Sequence, residues 1–173
     1  METARKATKD AGEAAGLEKV TLVEEPVAAA LHYATEKEVH GRVLVFDLGG
    51  GTFDVTIADI DGLDIQVVCS QGDPVLGGKD FDRVLAEIIS DQFKTGSGEA
   101  LFEDEPSHEL MDRAEDIKKA LSNSEEWEDL LVFQSAGGDA VQARIEITRD
   151  QFEEGISTYI GRIESLIDVA LGE

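Results

Sequence analysis

The chain has 173 residues, which is the length of one domain or two small ones. Hydrophobic residues make up 42% of it, enough for a packed core, and 15 basic against 38 acidic residues give a formal net charge of −23. This charge disfavours nucleic acids and anionic membrane surfaces as partners, because both present negative groups that need cations opposite them. No apolar run reaches the roughly 20 residues that span a bilayer.

The cysteine count and the first residues narrow the class of protein further. A single cysteine, Cys69, excludes an internal disulfide framework and a cysteine-rich zinc site. The opening sequence METARKATKDAGEAAG is polar and small, unlike a secretory signal. We therefore expect a cytoplasmic protein.

The first part of the chain predicts a helix, a short strand and a second helix. Residues 2–16 are rich in Ala, Lys and Glu and end at Gly16, a typical helix stop. Residues 20–23 predict a short strand. The next helix begins at Pro26, a residue that is well tolerated in the first helical turn, and runs to about Glu38.

Three strands follow, because apolar residues there run continuously or alternate with period two. They cover residues 42–47, 52–60 and 63–70, and the dipeptide Asp61-Gly62 predicts a hairpin turn between the last two. Residues 72–78 then read as a loop.

The second half of the chain predicts three helices and one strand pair. Residues 79–94 carry apolar side chains at helical spacing, and residues 95–106 form a break of Gly, Ser and acids. A charged helix at 107–121, strands at 130–134 and 141–147, and a final helix capped by Thr148 complete the pattern. Together the elements predict a layered α/β domain with a small α+β insertion.

The most informative stretch is DLGGGTFD, from Asp47 to Asp54. An acid ends a buried strand, and three glycines let a ligand approach backbone N–H groups that can face an anion. A hydroxyl, that of Thr52, and a second acid follow. Backbone donors for phosphates beside carboxylates for a hydrated Mg²⁺ suit a nucleoside triphosphate. The alternative interpretation is a glycine-rich hairpin turn whose acids are merely solvated.

A second glycine-rich stretch differs from a P-loop. From Gly72 to Lys79 the spacing is one residue off the P-loop pattern, and Asp80 stands where a metal-binding hydroxyl is required. The pair Gly77-Gly78 lies at a predicted helix N-terminus, where free N–H groups attract an anion. A plain helix-entry turn is the alternative.

The motifs DLGGGTFDVT, VEEPVAAAL and LGGKDFD resemble the ATPase domain of the 70-kilodalton heat-shock chaperone family, the DnaK-type chaperones. ARKATKDAGEAAGL, AEDIKKALS and ITRDQFEE continue the resemblance in the expected order, so that it covers essentially the whole chain. It implies a partial actin-like ATPase fold, whose two lobes each carry a ribonuclease-H-like core and close over ATP.

The resemblance also implies roles for individual residues. The catalytic residues would be Glu25, Asp47, Thr52 and Asp54. Among these, Asp47 and Asp54 would hold Mg²⁺ through water. The residues on the phosphates of ATP or ADP would be Gly49, Gly50, Gly51, Thr52 and Gly78. Those on adenosine and ribose would be Glu115, Lys118, Lys119 and Ser122.

If the resemblance is set aside, the helix at 107–121 is interpreted as a surface helix with a solvated face and with charge pairs such as Glu115 with Lys118.

The resemblance further implies a division of the chain into four parts. Residues 1–40 would be the tail of lobe one with the lobe-crossing helix, and 41–103 the core of lobe two with the phosphate-binding hairpin. Residues 104–147 would be the insertion subdomain and 148–173 the returning helix. The family's first phosphate loop, catalytic lysine and second glycine pair would lie outside this chain. We therefore expect the isolated chain to bind nucleotide weakly and to hydrolyse it negligibly.

For the parent protein the resemblance implies a chaperone that assists folding in the stress response. Its partners would be unfolded polypeptide clients, a J-domain co-chaperone and a nucleotide exchange factor. Alternatives from the same superfamily are a sugar kinase and a filament-forming ATPase, and a further alternative is a non-catalytic docking module.

Overall fold

A computed structural model describes residues 2–37 and 40–172. Within them the elements follow one another as α1 (Glu2–Ala14), α2 (Glu25–Glu36), β1 (His40–Leu48), β2 (Phe53–Asp61), β3 (Asp64–Asp73), α3 (Gly78–Ser97), α4 (His108–Leu121), β4 (Glu126–Gln134), β5 (Ala140–Thr148) and α5 (Arg149–Leu171). The α/β class expected from the sequence is confirmed. None of the described helices is long and apolar enough to cross a membrane.

The chain divides into two compact units, each with its own contacts. Among the described residues, the first unit draws on 2–37, 40–47 and 55–70, and the second on 48–54 and 71–172. The three strands β1, β2 and β3 therefore lie mainly in the first unit, while the strand ends next to the turn at residues 49–52 belong to the second.

The first unit contains a three-stranded sheet in the order β1-β2-β3. The connections between neighbouring strands are too short for a parallel crossover, so the strands are antiparallel. Gly62 takes the left-handed conformation that the tight turn between β2 and β3 needs (φ +62°). A small core forms where Ala30 and Ala34 of α2 lie with Ile60 of β2. Partly buried side chains of β1 and β3, such as Val45, pack against it.

Two expectations for the first unit are corrected. Residues 20–23 form no strand, because a strand needs a neighbour for its hydrogen bonds and no strand in the described part of the chain pairs with this segment. The second helix ends at Glu36, since Lys37 has extended backbone angles of φ −136° and ψ 138°. Glu38, where the sequence placed the helix end, lies outside the described residues.

The second unit packs three helices and a hairpin around an apolar core. β4 and β5 are antiparallel, with Leu131 opposite Ala143 and Trp127 opposite Ile147. The core side chains of α3, α4 and β5 that are fully enclosed include Leu85, Ile89, Phe93, Ala114, Ile117, Leu121, Ile145 and Ile147. The rings of Phe93 and Phe133 meet edge to face with centroids 5.8 Å apart, so that α3 is anchored on β4.

Helix ends in the second unit follow the predicted chemistry with some shifts in position. The Thr148 cap is confirmed, since its hydroxyl accepts from the Gln151 N–H at 3.2 Å and the Gln151 side chain accepts from the Thr148 N–H at 3.0 Å. α3 continues to Ser97, into the predicted break, and is closed by Gly98 at φ +81°. β3 continues to Asp73, so the predicted loop at 72–78 is shorter than expected.

Candidate functional site

The first glycine turn, residues 49–52, joins β1 to β2. It is closed by a hydrogen bond from the Gly49 N–H to the Thr52 carbonyl at 2.9 Å. A Cβ added to Gly50 or Gly51 would meet nothing within 4 Å, and neither residue has a left-handed φ. Neither packing nor backbone conformation therefore requires glycine at these two positions. Because no side chain covers the backbone at Gly50 and Gly51, a phosphate can approach it closely.

The second glycine turn, the pair Gly77-Gly78, begins α3. Gly77 is buried, and a Cβ on it would lie 2.4 Å from the Gly51 nitrogen and 2.6 Å from the Gly50 carbonyl carbon. Both of these atoms are backbone atoms that cannot rotate away, so no other residue fits at position 77. The Gly77 N–H donates to the Asp80 carboxylate at 2.8 Å, which caps the helix.

Backbone hydrogen bonds tie the two glycine turns together. The Gly78 N–H donates to the Gly49 carbonyl at 2.9 Å, and the Lys79 N–H donates to the Gly50 carbonyl at 2.8 Å. The expectation of free N–H groups at this helix start is therefore corrected for Gly78 and Lys79, because both N–H groups donate to the first glycine turn. These two hydrogen bonds hold the first glycine turn against the start of α3, and we call them the clamp. The partial positive charge at the N-terminus of α3 still favours an anion nearby.

The second unit also positions one of the two expected metal-binding acids. Asp54 is exposed at the start of β2, and Gly72 of β3 makes room for it. A Cβ on Gly72 would lie 2.5 Å from Asp54 Oδ1 and 2.8 Å from the Phe53 carbonyl oxygen. Gly72 was missed by sequence reasoning, because the approach of β3 to the start of β2 is a tertiary contact.

The remaining expected acids lie in the first unit. Asp47 is half-buried one residue before the end of β1, and Glu25 is exposed at the first position of α2. Asp47 and Asp54 flank the first glycine turn along the chain and offer the carboxylate oxygens that Mg²⁺ accepts while it keeps several waters. No group of three or more His, Cys, Asp or Glu side chains within residues 2–37 and 40–172 is arranged to hold a metal ion directly.

Helix α4 carries three of the four residues expected on the nucleoside, Glu115, Lys118 and Lys119, and the fourth, Ser122, is its C-cap. Glu115 pairs with Lys119 at 2.9 Å, four residues on, and both side chains are exposed. The hydrogen bond from Lys119, and then its positive charge, lower the pKa of Glu115, and the same pair raises the pKa of Lys119. The Ser122 hydroxyl donates to the Lys118 carbonyl at 3.3 Å. The i,i+3 pair of Glu115 with Lys118, proposed for a purely solvated helix, is replaced by this i,i+4 pair.

Lys118 points to a different partner, on α3. Its ammonium lies 2.6 Å from Asp82 Oδ1 and donates to the Gly78 carbonyl at 3.2 Å. Sequence reasoning missed Asp82, although a signal was present: this acid shares the apolar face of α3 with Leu85 and Ile89. An acid in such a stripe needs a buried counter-charge.

A cavity of about 470 Å³ opens beside this contact, between the first turns of α3 and α4. Its size falls within the range of about 300–1,000 Å³ that is typical of small-molecule sites. Lys79, Asp82, His108 and Glu115 are among its lining residues, so its surface carries charges of both signs. Glu115, which is expected on the nucleoside, is also among the residues that line this cavity.

Comparison with known proteins agrees with the motifs. The family model described as Hsp70 protein matches residues 1–173. Over 169 residues the chain is 41% identical to Chaperone protein DnaK of Prochlorococcus marinus (strain MIT 9515). That alignment covers 96% of this chain but 27% of the relative, so the chain spans about a quarter of the relative's length. Because the family model matches the whole length of the chain, the chain belongs to the Hsp70 family.

Proposed function

We propose that the chain forms the phosphate-binding part of the nucleotide site of a chaperone ATPase, with ATP and ADP as its ligands. The observation that carries the proposal is the first glycine turn, where Gly50 and Gly51 leave open space that neither packing nor conformation explains. Exposed glycine backbone beside a helix N-terminus is a suitable surface for phosphates. Thr52, exposed on the same turn, adds a hydroxyl. Gly78 contributes as the residue that holds this turn in place.

The acids are the metal-binding and water-binding groups of this proposal. We assign Asp47 and Asp54 to the hydration shell of Mg²⁺ and Glu25 to the attacking water, on the basis of family membership and of their carboxylate chemistry. When bound, Mg²⁺ neutralises the negative charge of the phosphates. The contribution of the carboxylates is to orient water molecules in the metal's shell and to accept their protons in hydrogen bonds.

The nucleoside side of the site is assigned to α4. Glu115 and Lys119 on α4 and Ser122 at its C-cap present exposed polar groups about one turn apart, which suits the hydroxyls of a ribose. Because Glu115 and Lys119 pair with each other at 2.9 Å, a ribose that binds either group has to compete with this exposed pair. Such exposed pairs are weak, typically below about 1 kcal/mol, so they present little obstacle.

Family membership also supports the finer architecture. The actin-like fold, with residues 1–40 as the end of lobe one and 41–103, 104–147 and 148–173 as parts of lobe two, is the division we propose. The whole protein would couple ATP-driven lobe closure to client binding in the cytoplasm, with J-domain and nucleotide-exchange partners. The match across residues 1–173 favours this function over a sugar kinase, a filament subunit or a docking module.

The isolated chain is expected to bind nucleotide weakly and to hydrolyse it negligibly. Phosphoryl transfer depends on groups positioned on both sides of the phosphates, and this chain spans 27% of its relative. A steady-state assay that gave the turnover of an intact family member would overturn this part of the proposal.

Calorimetric titration of the chain with Mg·ADP and Mg·ATP tests the proposal. We expect weak, saturable binding that Asp47→Asn weakens further. The matched control is Asp10→Asn, which makes the same chemical change at an exposed acid of α1. Absence of heat at millimolar nucleotide, from a chain that circular dichroism shows to be folded, would contradict the proposal that these residues alone form a usable site.

A further inference from the structure

We propose that Asp82 is a positioning residue of the nucleotide site: it holds the Lys118 ammonium against the second glycine turn and thereby couples α4 to the first glycine turn. This inference rests on the proposed function, which places the phosphates on the first glycine turn. It assigns a role to Asp82, the buried acid that ends the motif LGGKDFD and that was given no role in the sequence analysis.

The burial of Asp82 is the first step. The residue is 6% exposed, and its Oδ1 receives no well-aligned hydrogen bond from any described residue. The Lys118 ammonium lies 2.6 Å from this oxygen without hydrogen-bond geometry, so the contact is an ion pair. A carboxylate removed from water is strongly unfavourable without a counter-charge. Lys118 is therefore held at this place by the requirement to neutralise Asp82.

The second step leads from the ammonium to the glycine turns. Lys118 Nζ donates to the Gly78 carbonyl at 3.2 Å, and a Cβ on Gly78 would come within 3.3 Å of the same nitrogen. The peptide unit that contains this carbonyl also contains the Lys79 N–H, which donates to the Gly50 carbonyl at 2.8 Å. A single chain of hydrogen bonds thus runs from the ammonium, through one peptide group, to the first glycine turn.

Hydrogen bonds that are linked in this way strengthen one another. A cation on the Gly78 carbonyl polarises the peptide group and makes the Lys79 N–H a better donor, an effect of about 10–30% per bond. The Gly50 carbonyl that accepts it belongs in turn to the peptide group of the Gly51 N–H, on the open turn. Removal of the Asp82 charge frees the ammonium to leave the Gly78 carbonyl, and the clamp between the two glycine turns weakens.

The contacts also limit what Lys118 offers a ligand directly. A lysine ammonium has three donors, one of which serves the Gly78 carbonyl while another faces Asp82. At most one donor remains for a ribose oxygen. Lys118 therefore serves first as part of the scaffold that shapes the phosphate turn.

Amide hydrogen exchange, measured by NMR on the 173-residue chain, tests the inference without any nucleotide. In Asp82→Asn we expect the Gly78 and Lys79 amides to exchange about tenfold faster, because loss of the pair favours local opening of the clamp. Amides of α5 such as that of Ile163 should keep their rates. The matched control, Asp91→Asn, removes the same charge from an exposed position of α3 and should leave all these rates unchanged.

A second variant covers the case in which Asp82→Asn does not fold. Lys118→Met should accelerate the same two amides, and in the double variant the acceleration should not exceed that of the larger single change, because both remove one pair. Uniform acceleration that includes α5 would indicate general destabilisation and would overturn the positioning role. Unchanged exchange at Gly78 and Lys79 would overturn it as well.

A titration with Mg·ADP distinguishes a failure of this inference from a failure of the proposed function. If wild-type chain binds Mg·ADP, we expect Asp82→Asn to raise the Kd about tenfold, in step with the loss of protection. An unchanged Kd together with unchanged exchange would refute the role of Asp82 and leave the phosphate site standing. If wild-type chain does not bind, the proposed function fails, while the exchange rates still decide whether Asp82 holds the clamp.

Discussion

The two glycine turns of the second unit contain the same residue type, yet an added methyl group would meet different surroundings in each. At Gly50 and Gly51 it would meet open space, whereas at Gly77 it would collide with backbone atoms 2.4–2.6 Å away. The first turn keeps its glycines without any steric need within the described chain. The second turn keeps Gly77 because the first turn lies against it.

This difference shows that a glycine-rich motif contains two kinds of requirement. One kind concerns access of a ligand to the backbone, and the other concerns close packing of two loops. The sequence predicted anion binding for both turns, but the N–H groups of Gly78 and Lys79 donate to the first turn. Substitutions that separate stability from nucleotide affinity should therefore distinguish the two turns.

The largest effect is expected for Gly77→Ala. Its Cβ would overlap the backbone of Gly50 and Gly51, so we expect the free energy of unfolding to fall by about 3 kcal/mol. Urea denaturation followed by circular dichroism measures this. Gly50→Ala is the control and should change the free energy of unfolding by less than about 0.5 kcal/mol. Equal stability of the two variants would remove the distinction between the turns.

Gly51→Ala should show the opposite pattern. A methyl group at this position fills the space assigned to a phosphate, so we expect Mg·ADP affinity to fall between about 10- and 100-fold, as for loss of hydrogen bonds to a charged group. Calorimetry measures the affinity, and the free energy of unfolding should remain close to that of the wild type. Gly161→Ala on α5, where an added Cβ also meets nothing within 4 Å, should bind like the wild type.

Asp54→Asn should reduce the contribution of the metal. A carboxylate that holds the metal through water is an outer-shell group, whose loss typically weakens metal affinity about tenfold or more. We therefore expect the gain in ADP affinity on adding Mg²⁺ to shrink in this variant, as measured by titrations with and without the metal. Asp64→Asn, at an exposed acid that begins β3, should leave the gain intact. An undiminished gain in Asp54→Asn would remove this residue from the metal site.

The smallest effect concerns pH. Lys119 lowers the pKa of Glu115, so the pair stabilises the fold above the ordinary carboxyl pKa, and this contribution disappears as the pH falls through the lowered value. We expect Lys119→Met to return the Glu115 pKa towards 4.5 in a carboxyl-detected NMR titration. Lys94→Met, on α3, is the control. Titration of wild-type Glu115 at its ordinary value would contradict the pairing.

Elements whose signal is local were predictable from the sequence. The Thr148 cap and the helical spacing of α3 and α5 lie within a few residues of chain, and the structure contains them. The strand expected at residues 20–23 was wrong because pairing depends on a partner elsewhere. The site residues were predicted from separate sequence motifs. The contacts between these motifs could be identified only from the folded structure.

The contacts that distinguish the two turns could not be found by motif alone. The exclusion of a side chain at Gly77 depends on where Gly50 and Gly51 lie, and the role of Lys118 depends on a buried acid of another helix. Sequence patterns name the residue types that a phosphate site needs, while non-local packing decides which N–H groups remain available to it.

Glycine-selective ¹⁵N labelling, followed by NMR during titration with Mg·ADP, tests most directly whether the open turn receives the phosphates. We expect the Gly50 and Gly51 amide signals to shift saturably. Gly98, which closes the opposite end of α3 about 30 Å away, should stay unchanged. Saturable shifts at other glycines with none at Gly50 and Gly51 would show that the nucleotide binds elsewhere and would contradict the assignment.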